Sequence, residues 1–346
     1  MVALAMGIGV LAPPVGNGGP KLRLSAATGR RLLNLAGPFL GLALVIGLFS
    51  LNGEIRSSFL SGANFKIILT QTVIVAVGTL GMTLIIVSGG IDLSVGSVVA
   101  LSGVVGATAL VKGTGVPTAV ALSIGTGALV GLFNGLMIGG LRMMPFIVTL
   151  GMMGMARGVA KWLSGNQTVN PSESRLDQLM ALSNPEHFWP LPIGVWVALA
   201  LAAVMALVMR QTVFGRYVFA LGANESAARL SGIRVRWQKV IIYTLSGVFF
   251  GVSGIMQLSR LAQGDPTVAI GLELDIIAAV VIGGASLNGG TGSILGSLIG
   301  ALIMAVLRNG ANQMNWPNYM QEIIIGGVII IAVALDKWRQ RRSAGW

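Results

Sequence analysis

Apolar stretches of about twenty residues recur along this chain and set tight limits on what it can fold into. A helix crossing a hydrocarbon core of roughly 30 Å needs about that many apolar residues. Ten crossings are predicted, at 32–51, 67–88, 93–111, 117–140, 145–163, 191–209, 240–258, 274–288, 293–310 and 321–336. The eighth is short, and the second and eighth both end in Gly-rich breaks. Only 10% of the 346 residues are charged against 54% hydrophobic, and the mean hydropathy is +0.83. That charge cannot cover the surface of a soluble protein of this length. An all-α polytopic membrane protein with short broken or re-entrant segments is expected. Its 50 glycines suit helices whose backbones approach closely in lipid.

Lys and Arg orient the spans. With the N-terminus inside, the cytoplasmic loops and ends hold fifteen of them, among them Arg210, Arg216, Arg229, Arg234, Arg236 and Lys239 in one loop. The opposite side holds seven, and Arg157 falls inside the fifth span. This asymmetry puts both termini in the cytoplasm. The net charge of +12 therefore reads as topology and not as nucleic-acid binding. Residues 1–31 read as a poorly ordered cytoplasmic leader, because no basic residue precedes their apolar part as a signal peptide would require. Residues 32–340 form one transmembrane domain with a basic cytoplasmic segment at 210–239, and 341–346 form a tail. Without Cys, thiolate chemistry and disulfides are excluded. The single His187, between Pro185 and Pro190, reads as an ordinary solvated residue and builds no metal site.

Inside these runs, "IVSGGIDLSVGS" (86–97) places a carboxylate and a glycine pair. A charge at mid-membrane depth costs roughly 2.5–3.5 kcal/mol unless it faces water, protein or free backbone N–H groups. Gly89 and Gly90 can end the second span, after which Asp92 or Ser94 can cap the third. Irregular backbone cannot face lipid, so the break lines a cavity, packs in protein or lies at the interface. An interfacial cap and a broken helix on a solute path both fit. "GGIDLSVGS" at 89–97 is echoed by "GGASLNGGTGS" at 283–293, and such recurrence in two halves can mark a transport site. Gln71, Asn134, Asp275, Asn288 and Asn309 also fall within spans. Amides offer both donors and acceptors to hydroxylated solutes, though each taken alone suits a hydrogen bond between helices equally well. Arg157 is expected against carbonyls or a carboxylate. Asp265, Glu273 and Asp275 are expected to flank the eighth span from outside.

In the basic loop, "NESAARLSGIRV" (224–235) offers a short helix of small residues stopped by Gly232. Residues Asn224, Glu225, Ser226, Ala227, Ala228, Arg229 and Gly232 resemble the coupling segment with which permeases of ATP-binding cassette importers dock on their ATPase. Together with "TLIIVSGGIDLSVGSVVAL", "MMPFIVTLGMMGMARGVA" (143–160) and "AAVVIGGASLNGGTGSILGSLIGAL" (278–302), the segment resembles the ribose/xylose/galactose-type ABC permease family over about residues 55–340. The resemblance implies a homodimer of ten-helix subunits in the bacterial inner membrane. It also implies two ATP-binding cassette domains below and a sugar-binding protein outside, with a monosaccharide passing inward. ATP and Mg would belong to the ATPase, since the phosphate-cradling G-x-x-x-x-G-K-[ST] is missing and no Lys follows a Gly. No cofactor or metal is expected in this chain.

Two rivals have their own requirements. An ion-coupled secondary transporter or channel for a small polar solute would need an intramembrane relay, for which Asp92 and Asp275 are almost the only candidates. A membrane-embedded enzyme would need a nucleophile–base pair or metal ligands within the spans, and neither Cys nor an intramembrane His is available. The motifs do not distinguish one sugar from another.

Overall fold

The computed structural model describes residues 26–182 and 190–343. Most of the expected leader, part of the loop holding His187 and Glu186, and the last three residues lie outside them. Among the described residues every regular element is a helix. The first half comprises α1 (Ala26–Ser50), α2 (Arg56–Phe59), α3 (Gly62–Val87), α4 (Val95–Val111) and α5 (Val116–Gly135), which runs into a π-helical turn at Leu136–Gly140, followed by α6 (Pro145–Leu163) and α7 (Glu173–Met180). The second comprises α8 (Ile193–Gln211), α9 (Val213–Ala223), α10 (Glu225–Leu230), α11 (Val235–Leu261), α12 (Leu272–Ile282), α13 (Ile294–Gln313) and α14 (Asn318–Ser343). Five of these, counting α5 with its π turn, are long and apolar enough to cross a membrane: α3, α5, α8, α11 and α13.

Apolar on every side, α3 behaves as a core helix. Its most apolar stretch is 94% buried, against 22% for α5, which keeps an outward face. Against α3 lies α11, running antiparallel and pinned by hydroxyls. Ser246 Oγ donates to the Gly81 carbonyl and Ser253 Oγ to the Ile74 carbonyl, each at 2.8 Å. Hydroxyls that bond backbone carbonyls across helices satisfy themselves without needing water.

On its other side α11 meets α5 almost backbone to backbone. Gly127, Gly131, Gly135 and Gly139 recur every fourth residue and so share one face of α5 and its π turn. A methyl group at Gly135 would sit 2.8 Å from the Val240 Cα, and one at Gly131 would sit 3.0 Å from the Gly247 Cα. Gly247 is equally closed, against the Gly131 Cα at 2.9 Å. The glycine content thus does the packing work that composition suggested.

The eighth predicted span needs correcting. After α11 the chain turns back along α4 as non-helical backbone, mostly a series of turns: Gly264 packs on Val104 and Ala107, while Ala269 and Glu273 reach Gly96 in the first turn of α4. Positive φ at Ala262, Ala269 and Gly271 shapes this segment, and Val169 and Gly264 pair their backbones at 2.9 and 2.8 Å. α12 therefore begins beside the start of α4, with the half-buried Glu273 carboxylate against Gly96. Its 11 residues rise only about 16 Å, half of a bilayer core. The helix starts within two residues of the predicted 274 but ends at Ile282, where Gly283 and Gly284 open a turn that the prediction had carried on as helix to 288.

Replacing Gly131 with Leu should cost about 1–3 kcal/mol through overpacking, whereas Gly125→Leu, whose methyl position is open, should be near neutral. Thermal unfolding of both variants in detergent, read by intrinsic fluorescence, checks the difference.

Candidate functional site

Between α3 and α4, the chain at 88–94 builds a closed polar cluster. Ser88 hydroxyl bonds back to the Ile85 carbonyl at 2.8 Å, and Gly89 takes φ +85°, ending α3. Asp92 is 2% exposed; its Oδ1 accepts the Ser94 N–H at 2.7 Å and the Ser94 hydroxyl at 2.6 Å. Asn134, from the end of α5, donates to Ser94 Oγ at 3.2 Å and reaches Asp92 Oδ2 at 3.5 Å. Gly89, Gly90, Asp92, Ser94 and Asn134 thus come together. Helix capping takes a different form from that expected: Ser94 occupies the N-cap position without a side-chain cap bond, and Asp92 instead orders the turn entering it. Tyr243 of α11 was not singled out from the sequence. Its buried hydroxyl stands where a Gly90 methyl group would meet it at 2.5 Å, and it has no hydrogen-bond partner among the described residues. A tyrosine within the apolar "VIIYTL" was the available signal, since buried phenols ordinarily seek partners.

A separate cavity of about 280 Å³ lies among α3, α11, α12, α13 and α14. Gln71 and Asp275 line it, joined by Gln257, Arg260, Arg308 and Asn312. Asp275 and Arg308 form a two-pronged ion pair, with Nε and Nη2 bonds of 2.8 and 2.9 Å; such pairing fixes geometry as well as charge. Asn309 lies elsewhere, donating to Asn64 Oδ1 at 3.0 Å and so joining α13 to α3. Asn288 sits exposed in the loop after α12. Arg157 donates to the Pro266 and Val268 carbonyls at 2.8 and 2.6 Å, so a guanidinium satisfies the non-helical segment ahead of α12.

The basic loop folds as α9 and α10 before α11 begins. Asn224 caps α10, its Oδ1 accepting the Ala227 N–H at 2.9 Å, and Gly232 ends the turn at φ +84°. Glu225 pairs with Lys239 at 2.7 Å and Arg229 at 3.0 Å. Burial pushes the Glu225 carboxyl up, but the Lys239 and Arg229 contacts outweigh it and hold it below the usual carboxylate range. Pairs this open contribute about 1 kcal/mol or less to stability; their effect is to fix how α10 stands on α11. Helical spacing sorts the docking candidates. Ser226, Ala227 and Arg229 face outward, whereas Ala228 is 4% exposed and turned into the protein. Leu230, not among the expected contacts, is 89% exposed.

Comparison with known proteins places the sequence in a family. Residues 64–333 match the family described as the branched-chain amino acid transport system / permease component. The chain is 38% identical over 299 residues to the ribose import permease protein of Escherichia coli (strain K12), covering 86% of this chain and 93% of that protein. It is 37% identical over 287 residues to the L-arabinose ABC transporter permease of Azospirillum brasilense (82% and 84% coverage). With the xylose transport system permease of Haemophilus influenzae, identity is 32% over 361 residues (88% and 96%). No solved structure matches the chain. Helices fit to cross a bilayer, and similarity that runs through nearly the whole of each relative, make this chain an integral membrane protein of the branched-chain amino acid transport system / permease component family.

Proposed function

We propose that this chain is the membrane-spanning subunit of an ATP-binding cassette importer that passes a pentose or hexose from an external sugar-binding protein to the cytoplasm. The observation that carries this is α10: a capped, ion-paired turn showing small residues and one fully projecting leucine in a chain whose relatives are sugar import permeases. An outward turn of that kind fits a groove on an ATP-binding partner, and the chain has no phosphate-binding loop of its own.

Ten crossings by α1, α3, α4, α5, α6, α8, α11, α12, α13 and α14 fit the arrangement, with both termini cytoplasmic and α12 completing its crossing through the non-helical segment before it. Two copies and two ATP-binding domains in the bacterial inner membrane make the working assembly. The cavity lined by Gln71, Gln257 and Asn312 suits hydroxyl groups, because amides both donate and accept. The break at Gly89, Gly90, Asp92 and Ser94 shapes the path from the cytoplasmic half. An ion-coupled carrier is less well supported: Asp275 is committed to Arg308, and Asp92 to Ser94.

Reconstitution tests the proposal. Alone in liposomes, the purified chain should hydrolyse no ATP and accumulate no sugar; with ATP-binding and sugar-binding partners it should do both. Concentrative uptake by the chain alone, driven by a proton or sodium gradient, would overturn it.

Within that system, Leu230→Asp should cut uptake at least tenfold by placing a charge in the docking groove, while membrane insertion stays normal. Gly232→Asp should do the same and also strain the positive-φ turn. Copurification of the ATPase, measured beside uptake, separates docking from folding.

Gly90→Leu should abolish uptake, because Tyr243 and Ile85 occupy the space its side chain needs. Asp92→Asn should be mild, since an amide oxygen still accepts both Ser94 bonds; an inactive Asn variant would assign the role to the charge. Sugar uptake by each variant at equal membrane expression decides.

Because the Glu225 pKa is depressed in the fold, its contribution is present above the ordinary glutamate value and lost as pH falls through the folded one. The stability difference between the parent and Glu225→Gln should stay flat from pH 8 to about 5 and shrink only in more acid solution. Thermal unfolding across pH measures it.

A further inference from the structure

The two glycine-rich segments that echo each other in sequence meet in space, and one residue of the cytoplasmic helix pair stands where they touch. The Gly290 N–H donates to the Val87 carbonyl at 2.8 Å, joining the end of α3 to the loop after α12. Gly222, the penultimate residue of α9, lies directly on that bond. A methyl group there would collide with both the Val87 carbonyl and the Gly290 nitrogen. Around it, a methyl at Gly289 would come within 2.9 Å of the Gly222 Cα and 3.0 Å of the Gly89 Cα, and one at Gly290 within 3.0 Å of the Ala223 Cα. Four stretches of bare backbone, from α3, the 88–94 break, the loop after α12 and α9, thus share one contact with no side chain between them. Asn224, the cap of α10, follows Gly222 by two residues.

We propose that Gly222 is a positioning residue that clamps the coupling segment rigidly to both glycine loops, so that displacement of α10 moves the break at 88–94 and the loop at 283–293 together. This rests on the coupling role proposed for α10. Interdigitated side chains can slide by changing rotamer, but backbone in van der Waals contact across a hydrogen bond has no such freedom.

The absence of cysteine lets the clamp be tested in the whole importer. A Gly290 Cβ would stand 3.3 Å from the Ala223 Cβ, near the separation of about 3.8 Å usual for a disulfide. The double variant Ala223→Cys/Gly290→Cys is oxidised in membranes with the importer either nucleotide-free or trapped with a non-hydrolysable ATP analogue. A rigid clamp gives equal cross-linking in both states; a yield that falls by half or more in either state overturns it. In parallel, Gly222→Ala should lower sugar uptake at least tenfold while the ATPase still copurifies and hydrolyses ATP at its basal rate. Uptake by Gly222→Ala at the parent rate likewise overturns the clamp. Should that variant fail to assemble, cross-linking decides alone. Failure of any ATP-binding protein to copurify with the unmodified chain would instead remove the underlying coupling role, and so remains distinguishable.

Discussion

Backbone lying against backbone at the α5–α11 contact is the constraint on which the rest of the structure depends. In lipid, apolar side chains gain little by leaving tails as apolar as themselves, so helices associate through close packing and hydrogen bonds. Glycines on one face of α5 remove the side chains that would hold α11 away, and α11 in turn carries the serines that fasten α3. With α11 fixed on both sides, Tyr243 is set against Gly90 and the chain leaving α11 is directed back along α4. The polar break, the half-length α12 and the glycine clamp each take their position from that axis.

Polar groups are handled by three different means, and the differences follow from geometry. Asp92 is surrounded by neutral donors, Ser94 and Asn134, that leave its charge unopposed by any cation among the described residues. Asp275 meets Arg308 in a paired geometry that compensates charge with charge. Arg157 donates its hydrogen bonds to carbonyls, those of a stretch of main chain that no helix ladder satisfies, with the Asp265 and Glu273 carboxylates nearby. Backbone without a helical partner is tolerated at membrane depth only where protein supplies its bonds, and here one guanidinium supplies two.

How much was legible from residues alone depended on whether a signal was local. Long apolar runs announce helices, and the Gly pair before Asp92 announced the break, because both act through neighbouring residues. The family resemblance also rested on contiguous motifs. Depth was not legible: the turns after α11 read simply as loop, whereas their place along α4 is set by Gly264 and Ala269 packing on it, contacts across roughly 160 positions. Facing was legible only with the helix register in hand, which is why the sequence did not show that Ala228 turns inward and Leu230 outward. Gly222 could not be told from 49 other glycines, since what marks it is the carbonyl of Val87 above it and nothing in its own neighbourhood.

The shortness of α12 bears on how such a chain is made. Eleven residues, two of them acidic, do not reach across a bilayer, and the non-helical segment before them carries peptide groups that lipid cannot satisfy. Leaving the insertion machinery alone, this stretch has no stable resting place. It becomes acceptable to the membrane only once α4 and Arg157 are already in position to receive it and α13 has followed to cover its far side. The second half of the protein must therefore be assembled on a first half that has already folded, and the order of synthesis along the chain is also the order in which each part acquires its surroundings.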